Sequence, residues 1–93
     1  MGIRSELATG YDIGFLGLSQ TEQFVRLDYT IPLGGVVELH LFDQSGTRVW
    51  YNTYASKEGQ HAIRMKRSGF RPNQTYRFQL KYKMSEYAGE IHM

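Results

Sequence analysis

The sequence predicts an all-β protein, a small antiparallel β-sandwich, and three observations carry that expectation. Apolar and polar residues alternate at a spacing of two in several runs, the pattern of half-buried strands. Turn-forming clusters separate the runs at intervals of roughly 8 to 12 residues, as in sandwiches built from short strands. No segment combines a 3.6-residue apolar period with helix caps, so no helix of two turns is expected.

Residues 1–21 read as an N-terminal arm in which Gly2, Gly10, Gly14 and Gly17 are interspersed with Ile13, Phe15, Leu16 and Leu18. The glycines weaken an internal strand while the apolar residues need cover, so the arm is expected to lie along another surface. That surface is either the edge of its own domain or a neighbouring copy that receives the arm as an added strand. A loose tail is the third option.

Residues 22–93 read as the sandwich domain. Val25, Leu27, Tyr29 and Ile31 point one way along residues 24–31, and Val37, Leu39 and Leu41 point one way along residues 36–42, with Arg26, Asp28, Glu38 and His40 expected in water. Pro32, Leu33, Gly34 and Gly35 make a turn between these runs, so the two are expected to pair as a hairpin. Asp43, Gln44, Ser45 and Gly46 form the next turn, where an Asp side chain can bond the backbone and a Gly supplies positive φ. It leads into residues 47–54, β-branched and aromatic enough to be a strand. A polar turn at 56–59 precedes a strand in which His61, Ile63 and Met65 alternate with Ala62, Arg64 and Lys66. After a loop at 67–74, residues 75–84 set Tyr76, Phe78, Leu80, Tyr82 and Met84 against Arg77, Gln79, Lys81 and Lys83. A short final strand is expected at 89–93. The count of six or seven strands is that of an immunoglobulin-like sandwich. Leu39, Leu41, Val49, Phe78 and Leu80 are expected in its core, and Arg26, Glu38, Arg77 and Lys81 outside.

Composition narrows the possible functions. Ninety-three residues make one domain, and with no cysteine its stability rests on packing, to which seven Tyr, five Phe and one Trp contribute. No stretch has the roughly 20 apolar residues of a membrane span, and the start lacks a secretory signal pattern. The chain as written is therefore expected in the cytoplasm, or in the periplasm or outside the cell if it is one domain of a longer secreted protein. Charge is uneven along the sequence: residues 1–46 hold two arginines against six carboxylates, and residues 47–93 hold nine lysines and arginines against three. Such a polar molecule favours head-to-tail contact with its own copies.

Residues 27–32 (LDYTIP), 35–38 (GVVE), 41–46 (LFDQSG), 59–63 (GQHAI) and 72–80 (PNQTYRFQL) together resemble a bacterial immunoglobulin-like family. Its members include the second domain of flagellar hook-capping proteins and the C-terminal sorting domains of the type IX secretion pathway. The resemblance implies an immunoglobulin-like fold, since the shared motifs specify strands, turns and core. It also opens a sorting-domain role within a larger secreted protein.

Catalytic and cofactor signals are absent from the pattern. His40, His61 and His92 are not spaced as metal ligands, no strained nucleophile motif occurs, and the glycines precede no helix that could cradle a phosphate. Neither an enzyme, a metal nor a cofactor is expected. The expectation is a structural module that assembles into homo-oligomers, a filament or ring, and other protein partners remain open. Ile13, Phe15, Leu16 and Leu18 would bury against a neighbour, while Asp28 and Glu38 would face Arg77, Lys81 or Lys83 of another copy. The alternative is a polymer-recognition domain, for polysaccharide or nucleic acid, using Trp50, Tyr51, Tyr54, Arg64 and Lys66. A net charge of +2 is small for a phosphate binder, so nucleic acid is the less expected ligand.

Overall fold

Seven strands follow one another in the computed structural model, which describes residues 12–93: β1 (Gly14–Gln20), β2 (Phe24–Ile31), β3 (Gly35–Phe42), β4 (Arg48–Ser56), β5 (Gly59–Lys66), β6 (Thr75–Tyr82) and β7 (Ser85–His92). All pairings are antiparallel, in a three-stranded sheet ordered β1-β2-β5 and a four-stranded sheet ordered β4-β3-β6-β7. The two sheets form a β-sandwich. A 3₁₀ turn, Arg67–Gly69, interrupts the passage from β5 to β6.

The core lies where the alternating runs meet face to face. Val25, Leu27, Tyr29 and Ile31 of β2 with Ile63 and Met65 of β5 oppose Val37, Leu39 and Leu41 of β3, Tyr76, Phe78, Leu80 and Tyr82 of β6, and Ile91 of β7. Buried tyrosines tie their hydroxyls to the frame. Tyr82 donates to the Leu33 carbonyl at 2.7 Å and accepts from its N–H at 3.3 Å. Tyr76 accepts from the Arg71 N–H at 2.8 Å, and the Tyr29 and Ser56 hydroxyls lie 2.9 Å apart. No buried side-chain N or O atom among the described residues is left unpartnered.

Several expectations need correction. Strands β2 and β3 do not pair as a hairpin: they belong to different sheets, and Pro32 to Gly34 carry the chain from one layer to the other. Alternation reports which face is buried, not which strand lies alongside. Val49 is not core but 48% exposed, because the β3–β4 register shifts between Leu41 and Phe42 and leaves Val49 as the extra residue of a bulge. His40, expected in water, is only 9% exposed, covered by Tyr51 and Phe42. Glu38 and Lys81 sit opposite each other across β3 and β6 and are half-buried, while Arg26 and Arg77 are exposed. Met84 is fully exposed at the two-residue turn between β6 and β7, where Lys83 adopts φ 51°. The last strand is a full eight residues.

The first ten residues and Tyr11 of the expected arm lie outside the described residues. Its second half is β1, which pairs with β2 through a bulge between Phe15 and Gly17. Ile13 is buried in the core, Phe15 and Leu18 pack against it, and Phe15 stacks on Tyr87 with ring centroids 4.4 Å apart.

Gly89 holds β7 close to the core, since a Cβ there would meet the Phe78 ring at 2.8 Å. Gly89→Ala is expected to cost about 1 to 3 kcal/mol by overpacking, and Leu80→Ala about 2 to 5 kcal/mol by lost burial and cavity formation. Val49→Ala should stay within about 0.5 kcal/mol. Urea denaturation measures all three, and equal values for Leu80 and Val49 would contradict this placement of the core.

Candidate functional site

Strand β4 is an edge of its sheet and carries most of the exposed aromatic surface. Its sequence, RVWYNTYAS, contains no Pro, no Lys and no carboxylate, and its one charge, Arg48, stands at the first position. Trp50, Asn52 and Tyr54 lie opposite the buried Leu41, Leu39 and Val37 and so occupy the inner face. They are nevertheless uncovered to a large degree: Trp50 is 36% exposed, Asn52 is exposed, and Tyr54 is half-buried, its phenol pushed up mainly by desolvation. The Thr53 N–H donates to the Asn52 Oδ1 at 2.9 Å, which turns it away from the ladder to β3 and toward the open side. By the alternation of an antiparallel ladder, Tyr51 and Ala55 present their backbone groups to the same side.

The other edges carry devices that discourage strand addition. Strand β1 has its bulge, β5 has Arg64 and Lys66, and β7 has Glu86 and Glu90, with its His92 carbonyl taken by the Gln20 Nε2 at 3.0 Å. Among the described residues β4 is thus the edge whose charge and bulge, at Arg48 and Val49, both fall at its start, which leaves Trp50 to Ser56 as a regular run without charge.

Beneath β4 the two sheets part into a cleft of about 300 Å³. Leu41, Met65, Phe70 and Trp50 give it an apolar lining, and Arg64 and Lys66 lie at its β5 side. On the opposite, outer face, β3 and β4 build a polar-aromatic cluster. The Arg48 guanidinium, which can only donate, lies 3.4 Å from His40 Nδ1, so Nδ1 accepts and Nε2 carries the proton that is donated to Glu38 Oε1 at 2.9 Å. Arg48 also sits over the Tyr51 ring at 5.0 Å, and Arg77 over Phe42 at 5.6 Å. This cluster fastens β4 to β3 from outside.

The structure therefore brings Trp50, Arg64 and Lys66 together at one cleft and places Tyr51 on the other face of the sheet. Of the arm residues, Ile13, Phe15 and Leu18 are covered within the chain, and Leu16 is 50% exposed. Asp28 pairs with Arg26 at 2.9 Å, and Glu38 with His40. Arg77 and Lys83 cover aromatic rings of their own chain, and Lys81 stands beside Glu38. Sequence reasoning missed the His40 cluster and the floor of the cleft. The signal for His40 was its position opposite Tyr51, which needs the β3–β4 register. Among the described residues no group of three His, Asp or Glu could hold a metal ion, and no helix is long and apolar enough to cross a membrane.

No protein-family model matches the chain, and no curated protein matches it. Among solved structures it is similar to the sensor domain of the anti-sigma factor RsgI4 in Pseudobacteroides cellulosolvens, with a TM-score of 0.59 at 13% identity over 88% of this chain and 92% of that one. A β-glucuronidase of Ruminococcus gnavus, in complex with uronic isofagomine, gives a TM-score of 0.49 at 15% identity over 88% of this chain and 14% of that one. The first likeness speaks for the fold.

The turn that launches β4 is built on Asp43. Its Oδ1 accepts from the Ser45 hydroxyl at 2.6 Å, the Ser45 N–H at 2.9 Å and the Thr47 N–H at 3.0 Å, while Gly46 supplies φ 90°. These bonds, the Ser45 hydroxyl first, hold the Asp43 carboxyl below the usual carboxylate range. A carboxyl lowered on folding stabilises fully above its unfolded pKa and loses that contribution as pH falls through its folded value. Asp43→Asn should therefore melt below the wild type at neutral pH, and the gap should close below about pH 4. Thermal melts across pH test this, and a gap that widens on acidification would contradict the sign.

Proposed function

We propose that the chain is a non-enzymatic, immunoglobulin-like assembly module that joins copies of itself through strand edge β4. The observation that carries this reading is the long regular run of β4 without charge, Trp50 to Ser56, beside edges whose charges or bulge fall within the strand. An exposed edge with aromatic side chains and free backbone groups is a template for strand addition. The immunoglobulin-like part rests on the sheet order, three strands β1-β2-β5 facing four, and on Tyr76. Near the start of its strand this residue bonds the backbone five residues upstream, the geometry of a tyrosine corner. The resemblance to hook-capping and type IX sorting modules belongs to the same reading at the level of fold. Compared with the sequence expectation, weight moves from the arm to β4, since three of the four arm residues have cover within the chain.

One observation favours a second reading. The cleft joins Trp50 to Arg64 and Lys66, neither of which pairs with a carboxylate among the described residues, and that combination suits an anionic polysaccharide.

Sedimentation velocity of the pure chain separates the two. The assembly reading expects concentration-dependent association without ligand, weakened about tenfold or more by Thr53→Lys, a change worth about 1.4 kcal/mol. Thr53 faces Glu38 across the ladder, so a lysine there is tolerated by the fold. A monomer at all concentrations that binds an acidic oligosaccharide, and loses it on Trp50→Ala, would replace the first reading with the second.

A further inference from the structure

We infer that two copies join β4 to β4 antiparallel across a two-fold axis passing at Asn52, so that two four-stranded sheets become one eight-stranded sheet. This rests on the strand-edge reading above and specifies its partner, symmetry and register.

The register follows from the strand itself. Asn52 is the midpoint of Arg48–Ser56, so an axis there gives the fullest overlap. It sets Asn52 opposite Asn52 of the second copy, Tyr51 opposite its Thr53, and Trp50 opposite its Tyr54. Inner faces then meet inner faces, as a continuous sheet requires, whereas a one-residue slip would set inner against outer. Moving the axis by one residue toward either end places Trp50 opposite Asn52 or Ser56 and loses the aromatic pair. With the axis at Asn52, each half-exposed inner Trp50 gains an aromatic neighbour twice per dimer, an arrangement that stabilises cross-strand pairs.

Backbone groups and charges agree with this register. The Thr53 N–H already faces the open side, held by the Asn52 Oδ1. In the dimer it is released to the Tyr51 carbonyl of the second copy, and the Tyr51 N–H bonds the Thr53 carbonyl, each twice by symmetry. The one charge of β4, Arg48, falls opposite Ser56 and at the far end of the ladder from its counterpart, so no like charges oppose. A two-fold contact uses the same unguarded edge on both sides. A head-to-tail contact would need one of the other edges, β1 with its bulge, β5 with Arg64 and Lys66, or β7 with Glu86 and Glu90 and a last carbonyl already bonded.

The test places charge on the axis. Asn52→Lys and Asn52→Asp each set like charges directly opposite, and each alone should weaken dimerisation about tenfold or more, while an equimolar mixture should restore it as a heterodimer. Native mass spectrometry and sedimentation read both results. Asn52 is exposed, and circular dichroism confirms that each variant folds. A second, independent measurement uses the absence of cysteine from the chain. Asn52 would be a non-hydrogen-bonded pair with Cα atoms about 4.5 Å apart, within disulfide reach. Asn52→Cys should therefore oxidise to a covalent dimer far faster than Leu16→Cys on the exposed side of β1. Dimers unaffected by either charge, no rescue on mixing, or equal oxidation of the two cysteine variants would overturn the two-fold register and leave edge assembly standing. Open-ended oligomers strengthened by Asn52→Lys and weakened by Asn52→Asp would do the same in favour of the β7 edge. A wild-type chain that stays monomeric would overturn both the register and the reading beneath it.

Discussion

Three strands cover four in this sandwich, and where the shortfall lies governs the rest of the structure. Strand β1 sits over β7, where Phe15 stacks on Tyr87 and Ile13 donates its N–H to the Ser85 hydroxyl. The uncovered strand is therefore β4. Its inner residues have the alternation of a core strand without a full layer above them, which is why a Trp and an Asn stand half in water on a face that is otherwise closed. The cleft lined by Leu41, Met65 and Phe70 is the same shortfall seen from the side.

An edge left open in this way tends to fray, and several contacts hold β4 in place. The Asp43 turn fixes its start through three hydrogen bonds to one carboxylate oxygen. On the outer face the chain of contacts Arg48, His40, Glu38 links β4 to β3, and Tyr51 closes over His40 at 4.7 Å. At its far end Ser56 bonds Tyr29 of the other sheet. Tyr82 and Tyr76 meanwhile pin the crossings on either side of the core, so the layers stay in register around the open strand. A firmly held edge loses little conformational freedom when another strand pairs with it, which favours association.

Much of this fold was legible as periodicity. The runs that became β2, β3 and β6 announced their strands and the apolar faces they bury, since each alternates large apolar residues with polar ones. Sheet membership was not legible, because Pro32 to Gly34 can close a hairpin or cross between layers, and the choice depends on Tyr82, some fifty positions away. The expected final strand omits residues 85–88, because these follow β6 through a two-residue turn, Lys83 and Met84, in which Lys83 takes φ 51° without a Gly or Asn to mark it. Val49 departs from the expected core because a bulge shifts the alternation by one residue without a mark in the sequence. At the site, Trp50, Tyr51, Arg64 and Lys66 were legible by residue type. Their division between two faces was not, because it follows from the β3–β4 register and from the gap beside β5.

The central claim is that the open side of β4 is used, and backbone amide hydrogen exchange resolved by residue tests it most directly. Measured on the unmodified chain at increasing concentration, the amides of Tyr51 and Thr53 should gain protection together, while exposed amides of the β1 edge remain unchanged. Exchange at Tyr51 and Thr53 that is the same at every concentration would contradict the account.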